Sequence, residues 1–212
     1  MILDVCEVFA SIQGESTFAG RPCAFIRLSG CNLRCAWCDT SYAWEGGQPR
    51  TLDSLVEEVR NFGLPLIEIT GGEPLLQPAT PALAQRLLDH GLTVLIETNG
   101  SLPISAVPPQ AIAIVDMKGP SSGESGRMDL ANLARLRPRD EVKFVIGDRA
   151  DYAHMLSLLP KIDPARNTVN ASPLFGTLPA AELAAWIVED RLPVRLNLQQ
   201  HKHIWPPEAR GV

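Results

Sequence analysis

Between positions 23 and 198 short apolar runs alternate with amphipathic segments, and no other feature of the sequence restricts its fold as much. Strand-like runs stand at 23–30, 64–70, 93–98, 111–117, 141–146, 167–172 and 193–198, with helix signals at 52–62, 81–90, 129–136, 150–159 and 179–190. In the first helix Leu52, Leu55, Val56, Val59 and Phe62 share a face, and Thr51 or Asp53 supplies the cap. The second helix stops at Gly91. The strands are apolar runs, the pattern of a parallel sheet covered by crossover helices. Seven strand candidates in 212 residues fall short of a closed eight-unit barrel, which takes about 250 residues. The expected fold is therefore α/β: an incomplete (β/α) barrel of about six parallel strands, forming one domain over 1–212. The Pro/Gly/Ser-rich stretches 100–110 and 118–126 read as loops, because strand signals resume within a few residues.

Nearly every polar cluster follows a strand: Cys31–Thr40, Thr70–Pro74, Glu97–Gly100, Asp116–Ser122, Ser172–Pro173 and Gln199–Lys202. Loops at the carboxyl ends of parallel strands converge on one face, so these clusters are expected to build one site.

Nineteen Lys+Arg against twenty-four Asp+Glu leave a net charge of -5 and a pI near 5.4, which disfavours a protein that grips nucleic-acid backbone. No apolar run approaches the roughly 20 residues of a membrane span, and the N-terminal segment lacks the basic-then-apolar order of an export signal. No nucleic-acid or membrane partner and a cytoplasmic location are expected.

All five cysteines lie at or before position 38, and Cys31, Cys35 and Cys38 form C-x3-C-x2-C. A secreted disulfide framework spreads an even number along the chain. Three thiolates this close need a loop wrapped around a centre, and thiolates select zinc or iron–sulfur clusters. Structural zinc wants a fourth ligand; Cys23 and Cys6 are the candidates, and either can equally be a small buried hydrophobe. A [4Fe–4S] cluster held by three cysteines keeps one iron open for chemistry.

The spacing at the end of the first parallel strand resembles the signature of the radical S-adenosylmethionine (SAM) superfamily. That resemblance implies a [4Fe–4S] cluster on Cys31, Cys35 and Cys38, with SAM chelated at the open iron and cleaved to a 5′-deoxyadenosyl radical. Thr70-Gly71-Gly72-Glu73-Pro74 resembles the superfamily's glycine-rich motif, in which exposed peptide groups and Glu73 hold the methionine ammonium. Trp37 is either an adenine neighbour or a core aromatic.

Further matches run in order along nearly the whole chain: SIQGE (11–15), GRPCAFIR (20–27), CDT (38–40), ETNG (97–100), DMK (116–118) with PSSG (120–123), and QQHK (199–202). Together they resemble the 7-carboxy-7-deazaguanine synthase family. The resemblance implies a lyase that converts 6-carboxy-5,6,7,8-tetrahydropterin to 7-carboxy-7-deazaguanine with loss of ammonia, feeding queuosine and other 7-deazapurines. It implies magnesium as a third cofactor, a homodimer, and an external flavodoxin-like or ferredoxin-like electron donor.

The implied substrate-binding residues are Ile12, Gln13, Gly14, Glu15, Arg27, Thr70 and His201. Arg27 offers a planar fork to a carboxylate, and Gln13 and Glu15 suit the amide-like and amino groups of a pterin. His201 and Lys202 are placed to close the pocket. Thr40 carries the hard oxygen assigned to magnesium by resemblance, although Asp39 is the more obvious ligand on charge. The implied cofactor-binding residues are Trp37, Gly71, Gly72, Glu73, Glu97, Thr98, Asn99, Lys118 and Ser121.

Two positions depart from the family pattern: Ser16 stands where a second glycine is common, and Gly119 where a cysteine is. Two rival readings are a glycyl-radical-enzyme activase of the same superfamily and a zinc-binding interaction module. Brown, iron-rich protein from anaerobic purification separates the first class from the second.

Overall fold

The computed structural model describes all residues, 1–212. Nine strands form one sheet: β1 (Ile2–Ile12), β2 (Pro22–Leu28), β3 (Gln48–Thr51), β4 (Leu66–Gly71), β5 (Thr93–Thr98), β6 (Ile112–Asp116), β7 (Glu141–Ile146), β8 (Thr168–Pro173) and β9 (Arg195–Leu196). Their order is β3-β1-β2-β4-β5-β6-β7-β8-β9. From β2 onward every neighbour is parallel, whereas β1 runs antiparallel to both β2 and β3. The sheet is the expected open partial barrel, with β3 and β9 at its two edges.

The helices are α1 (Leu52–Asn61), α2 (Thr80–Asp89), α3 (Asn132–Arg135), α4 (Arg149–Leu158), α5 (Ala180–Glu189) and α6 (His201–Ile204). Thr51, not Asp53, caps α1: its side chain accepts from the Ser54 amide at 3.2 Å. Asp148 caps α4 through the Ala150 and Asp151 amides. The segment expected as a helix over 129–136 keeps only one turn, α3, and the strand expected over 193–198 keeps two residues. The antiparallel strands β1 and β3 were not expected. β1 mixes buried Leu3 and Val5 with polar neighbours, the signature of a strand with one wet face. No helix is long and apolar enough to cross a membrane.

Side chains alternate across a strand, and here the two faces differ in kind. Ala24, Ile26, Leu28, Ile67, Ile69, Val94, Ile96, Val115, Val142, Phe144 and Ala171 point toward the helices and join Leu55, Leu83, Met155 and Leu183 in the main core. The concave face changes along the strands. At its base Cys23, Phe25, Leu66, Leu95, Ile112 and Ile114 form a separate apolar plug with Phe9 and Phe18 beside it, and Phe9 stacks on Phe25 at 4.9 Å. One or two alternations further on, the same face carries Arg27, Glu68, Thr70, Glu97, Asp116 and Lys143. The plug floors a cavity whose upper wall is charged.

Between the parallel strands β2 and β9 the barrel is bridged by side chains. The loop joining β1 to β2 reaches across to the far strands: Glu141 on β7 accepts from the Thr17 amide (3.2 Å), the Thr17 hydroxyl (2.5 Å) and the Asn170 amide on β8 (2.6 Å). Arg195 on β9 donates to the Ser16 carbonyl. Ser16 takes the left-handed conformation, φ 61°, which glycine adopts more readily. Its hydroxyl accepts from the Phe18 amide at 3.2 Å, a local turn bond that favours the bend. Replacing Glu141 by Ala strands the buried Asn170 amide and frees the exposed Thr17; a loss of about 1–3 kcal/mol is expected, read as a lower urea midpoint with an unchanged slope.

Candidate active site at the open end of the barrel

The chain leaves β2 at Leu28 and enters the cysteine loop through Ser29 and Gly30. Gly71 and Gly72, at the end of β4, pack directly against that exit. A Cβ on Gly71, whose φ is 146°, would stand 2.1 Å from the Leu28 carbonyl oxygen; one on Gly72 would stand 2.2 Å from the Gly30 carbonyl oxygen and 2.7 Å from Cys31 Cβ. Only glycine fits either position. The Glu73 amide donates to the Gly30 carbonyl at 2.8 Å and locks the two loops together.

Cys31, Cys35 and Cys38 are half-buried and line one cavity of about 200 Å³. The Leu33 amide points at Cys31 Sγ (3.4 Å) and the Asn99 side-chain amide approaches it at 3.8 Å. Burial raises the Cys31 thiol, and raises Cys35 to about 11. Binding of a metal centre must therefore displace protons from the sulfurs. The two remaining cysteines stay apart. Cys23 is buried in the apolar plug with its thiol raised by desolvation, and Cys6 does not reach the cavity. No three His, Cys, Asp or Glu side chains converge as ligands of a single ion, so a compact zinc site lacks its donor set. A larger cluster that takes one thiolate at each corner is compatible with the three sulfurs.

Beside the thiols the cavity is lined by Trp37, Gly71, Gly72, Thr98, Asn99 and Lys118; Glu97 also lines it, with its carboxylate bonded to Lys143 of the opposite wall at 2.8 Å. Glu73 and Ser121 do not line the cavity. The Glu73 carboxylate accepts from Asn99 N (2.6 Å), Thr98 Oγ1 (2.8 Å) and Leu75 N (2.9 Å). These bonds clamp the glycine loop to the end of β5. Ser121 likewise stands one layer back. It accepts from Trp37 Nε1 at 3.0 Å and donates to Asp151 at 2.5 Å, which fixes the indole. Gly119 packs on the same Asp151, whose Oδ1 would lie 2.4 Å from a Cβ, so a side chain here would displace that carboxylate. Trp37 faces the cavity with the Lys118 ammonium 5.0 Å from its ring centroid, and is a wall residue rather than a core aromatic. Burial works against charge on Lys118, but Asp116 at 2.7 Å outweighs it and holds the group cationic.

On the opposite wall the structure gathers Ile12, Gln13, Gly14, Glu15, Arg27, Thr70 and His201, with Thr40 near Cys38. Thr40 Oγ1 lies 3.8 Å from Cys38 Sγ. Asp39 is paired with Lys202 at 2.6 Å. Burial would raise that carboxyl, but Lys202 dominates and lowers it to about 2. Asp39 is thus engaged by a cation through one oxygen, and Thr40 brings a hydroxyl to the same cavity. The same pair latches α6 to the cysteine loop. Gly14 admits α6 closely, since a Cβ there would sit 2.2 Å from His201 Nδ1, and the Gln200 amide donates to the Gly14 carbonyl at 2.9 Å. Burial lowers the His201 pKa, the largest influence on it, which favours the neutral ring. Arg27 gives Nε to Glu7 at 2.7 Å and keeps its two Nη atoms free of protein partners.

Four residues central to this wall were not among the sequence-level candidates. Lys143 lies inside the barrel, 2.5 Å from Glu15 and 2.8 Å from Glu97, with Asp116 at 3.9 Å. Glu68 accepts from Gln13 Nε2, and Gln199 donates to Glu15 at 2.8 Å. For Lys143 and Glu68 a signal was present: charged residues inside otherwise apolar strand runs, Glu68 alone in its run and Lys143 two positions from Glu141, mark concave positions. Asp116 and Gln199 stood inside polar clusters already noted at strand ends.

With this geometry in view, the matches to known proteins are decisive. Residues 25–115 match the radical SAM superfamily model. The 7-carboxy-7-deazaguanine synthase of Koribacter versatilis is 45% identical over 99% of this chain and 100% of its own length. That of Chlorobaculum tepidum is 47% identical over 99% of this chain and 97% of its own length. The chain belongs to the 7-carboxy-7-deazaguanine synthase family. Its fold agrees: the crystal structure of QueE from Escherichia coli superposes with a TM-score of 0.80 at 26% identity, covering 95% of each chain. Membership of this radical SAM family implies a [4Fe–4S] cluster and SAM.

The glycine-to-cysteine-loop contact yields a direct test. Gly72→Ala drives a methyl group into the Gly30–Cys31 backbone, so anaerobically reconstituted variant is expected to hold less than about half the iron of the unaltered protein while retaining its helical circular dichroism.

Proposed function

We propose that this chain converts 6-carboxy-5,6,7,8-tetrahydropterin to 7-carboxy-7-deazaguanine by radical ring contraction with loss of ammonia, and that residues 1–212 act as one radical SAM domain. One observation carries the reading beyond family membership. A single cavity sets three unpaired thiols on one wall and, on the other, the free fork of Arg27 beside a polar Gln13–Glu15–Glu68 surface. A small, planar, carboxylated heterocycle matches that opposite wall in charge and shape. An activase of a partner protein has no need of a fork for a small carboxylate.

In this reading Cys31, Cys35 and Cys38 hold the cluster, and Gly71, Gly72, Thr98, Asn99, Trp37 and Lys118 contact SAM. When bound there, the cluster and SAM would supply the one-electron chemistry that opens hydrogen abstraction from the substrate. The protein contributes position and protection. Arg27 binds the substrate carboxylate bidentately through its Nη atoms, while Glu7 fixes the guanidinium plane. Phe9 and Phe25 provide an apolar floor beneath the ring. Glu15 and Glu97 accept from the amino and amide N–H groups along the heterocycle edge, and Lys143 keeps both anchored. Burial raises Glu15 and Glu97 alike, but in Glu15 the Lys143 ammonium prevails and holds the carboxylate ionised, whereas Glu97 stays raised. Thr40 is the magnesium ligand, a single protein oxygen for an ion that keeps water and substrate oxygens. His201 and the Lys202–Asp39 latch exclude water. A homodimer and an external flavodoxin-like or ferredoxin-like electron donor complete the proposal.

The deciding experiment is anaerobic incubation with SAM, reductant, magnesium and carboxytetrahydropterin, followed by mass measurement of the product; recovery of unchanged pterin from protein with an intact, reducible cluster would sink the reading. Arg27→Lys keeps the charge but loses the fork. It is expected to raise the substrate KM roughly 10- to 100-fold while substrate-independent SAM cleavage continues. Thr40→Val is expected to raise the magnesium concentration for half-maximal activity by about tenfold or more, read from a magnesium titration at saturating substrate.

A further inference from the structure

Glu68 is the one charged-type side chain of the cavity wall that no cation serves. It stands mid-strand on β4, between Phe25 of β2 and Leu95 of β5 in register, and is 2% exposed. The charged groups that face it are Glu97 from β5, Glu15 from the loop after β1, Lys143 from β7 and Arg27 from β2. Both cations are engaged elsewhere: Lys143 by Glu15 and Glu97, Arg27 by Glu7. The only group bonded to Glu68 is the Gln13 side chain, which donates from Nε2 to Glu68 Oε2. The orientation of that amide is fixed independently, because Gln13 Oε1 accepts from the Glu15 amide at 3.0 Å. A buried carboxyl flanked in register by Phe25 and Leu95, with two carboxylates nearby and no cation bonded to it, has its pKa pushed well up, by desolvation first and by repulsion second, which favours the protonated form. Its Oε2 accepts from Gln13 and is therefore the carbonyl oxygen. The proton belongs on Oε1, which has no protein acceptor and belongs to a residue lining the cavity.

We propose that Glu68 is a specificity-determining residue that presents a neutral carboxyl O–H to a ring-nitrogen or carbonyl acceptor of the bicyclic substrate, with Gln13 as the residue that positions it. The proposal rests on the reading of the cavity as a pterin site. It assigns complementary duties on one wall: Glu15 and Glu97 accept hydrogen bonds, and Glu68 donates one. A ligand edge that carries an acceptor between donors is matched, and an edge of donors alone leaves the Glu68 hydroxyl unpaired in a dry site.

Two variants and a spectrum test it. Glu68→Gln keeps a neutral donor of the same shape, and its substrate KM is expected within about threefold of the unaltered enzyme; Glu68→Leu removes the donor and is expected to raise KM at least about tenfold, with substrate-independent SAM cleavage unchanged. As pH rises the unaltered enzyme loses the Glu68 proton and its KM climbs, whereas Glu68→Gln shows no such climb. On the substrate-free protein at neutral pH, the infrared difference between unaltered and Glu68→Gln chains is expected to contain the carbonyl stretch of a protonated carboxylic acid, shifted in D2O. A Glu68→Gln variant as impaired as Glu68→Leu, or a difference spectrum showing only carboxylate bands, overturns the proposal. Failure of the unaltered enzyme to turn over the pterin counts against the proposed activity instead, and the infrared result still decides the state of Glu68.

Discussion

A single buried ammonium makes the interior of this barrel possible. Glu15, Glu97 and Asp116 come within 3.9 Å of Lys143 Nζ or closer, in a cavity walled by protein. Carboxylates crowded in a medium of low polarity repel one another and are expensive to desolvate. Lys143 offsets both effects, and it ties the loop after β1 to β5 and β7 while doing so. Glu68, outside its reach, shows the alternative: without a cation the proton stays. Of the carboxyls Lys143 meets, Glu15 is the one it pulls below its ordinary value, while burial keeps Glu97 raised.

That electrostatic centre is seated by strand alternation. Successive residues of β4 through β8 send aliphatic groups outward to the helices and polar groups inward. The inward face is graded as well, from the Phe25–Leu66–Leu95 plug to the charged rim. A ligand lying on the plug meets its polar partners only along its upper edge. The glycine pair at the end of β4 sets the second half of the cavity, because backbone contact with Gly30 and Cys31 determines where the thiols stand. The two halves of the cavity are therefore built by different interactions, hydrogen-bonded charge on one side and close backbone packing on the other.

Closure of the open barrel is a third, independent device. The loop after β1 spans the gap through Thr17, Glu141, Asn170, Ser16 and Arg195. The same loop presents Gln13 and Glu15, so the residues that shape one wall of the site are held by bonds far from it. Ser16 bends the chain in a conformation glycine adopts more readily, and Arg195 bonds its carbonyl.

Much was readable before any coordinates. The rhythm of apolar runs determined the parallel α/β sheet and placed β5 and β7 to the residue; the C-x3-C-x2-C spacing pointed to the cluster chemistry. Those signals are local, because alternation and ligand spacing are properties of neighbouring residues. The antiparallel β1 and β3, the inward role of Lys143 and Glu68, and the retreat of Glu73 and Ser121 behind the wall were not local. Each depends on which group stands opposite across the sheet: a glutamate in a strand reads the same whether it meets a lysine, a backbone amide or an empty cavity. Only the tertiary arrangement decides among these, since the charge and reach of a side chain are set by its partners in space.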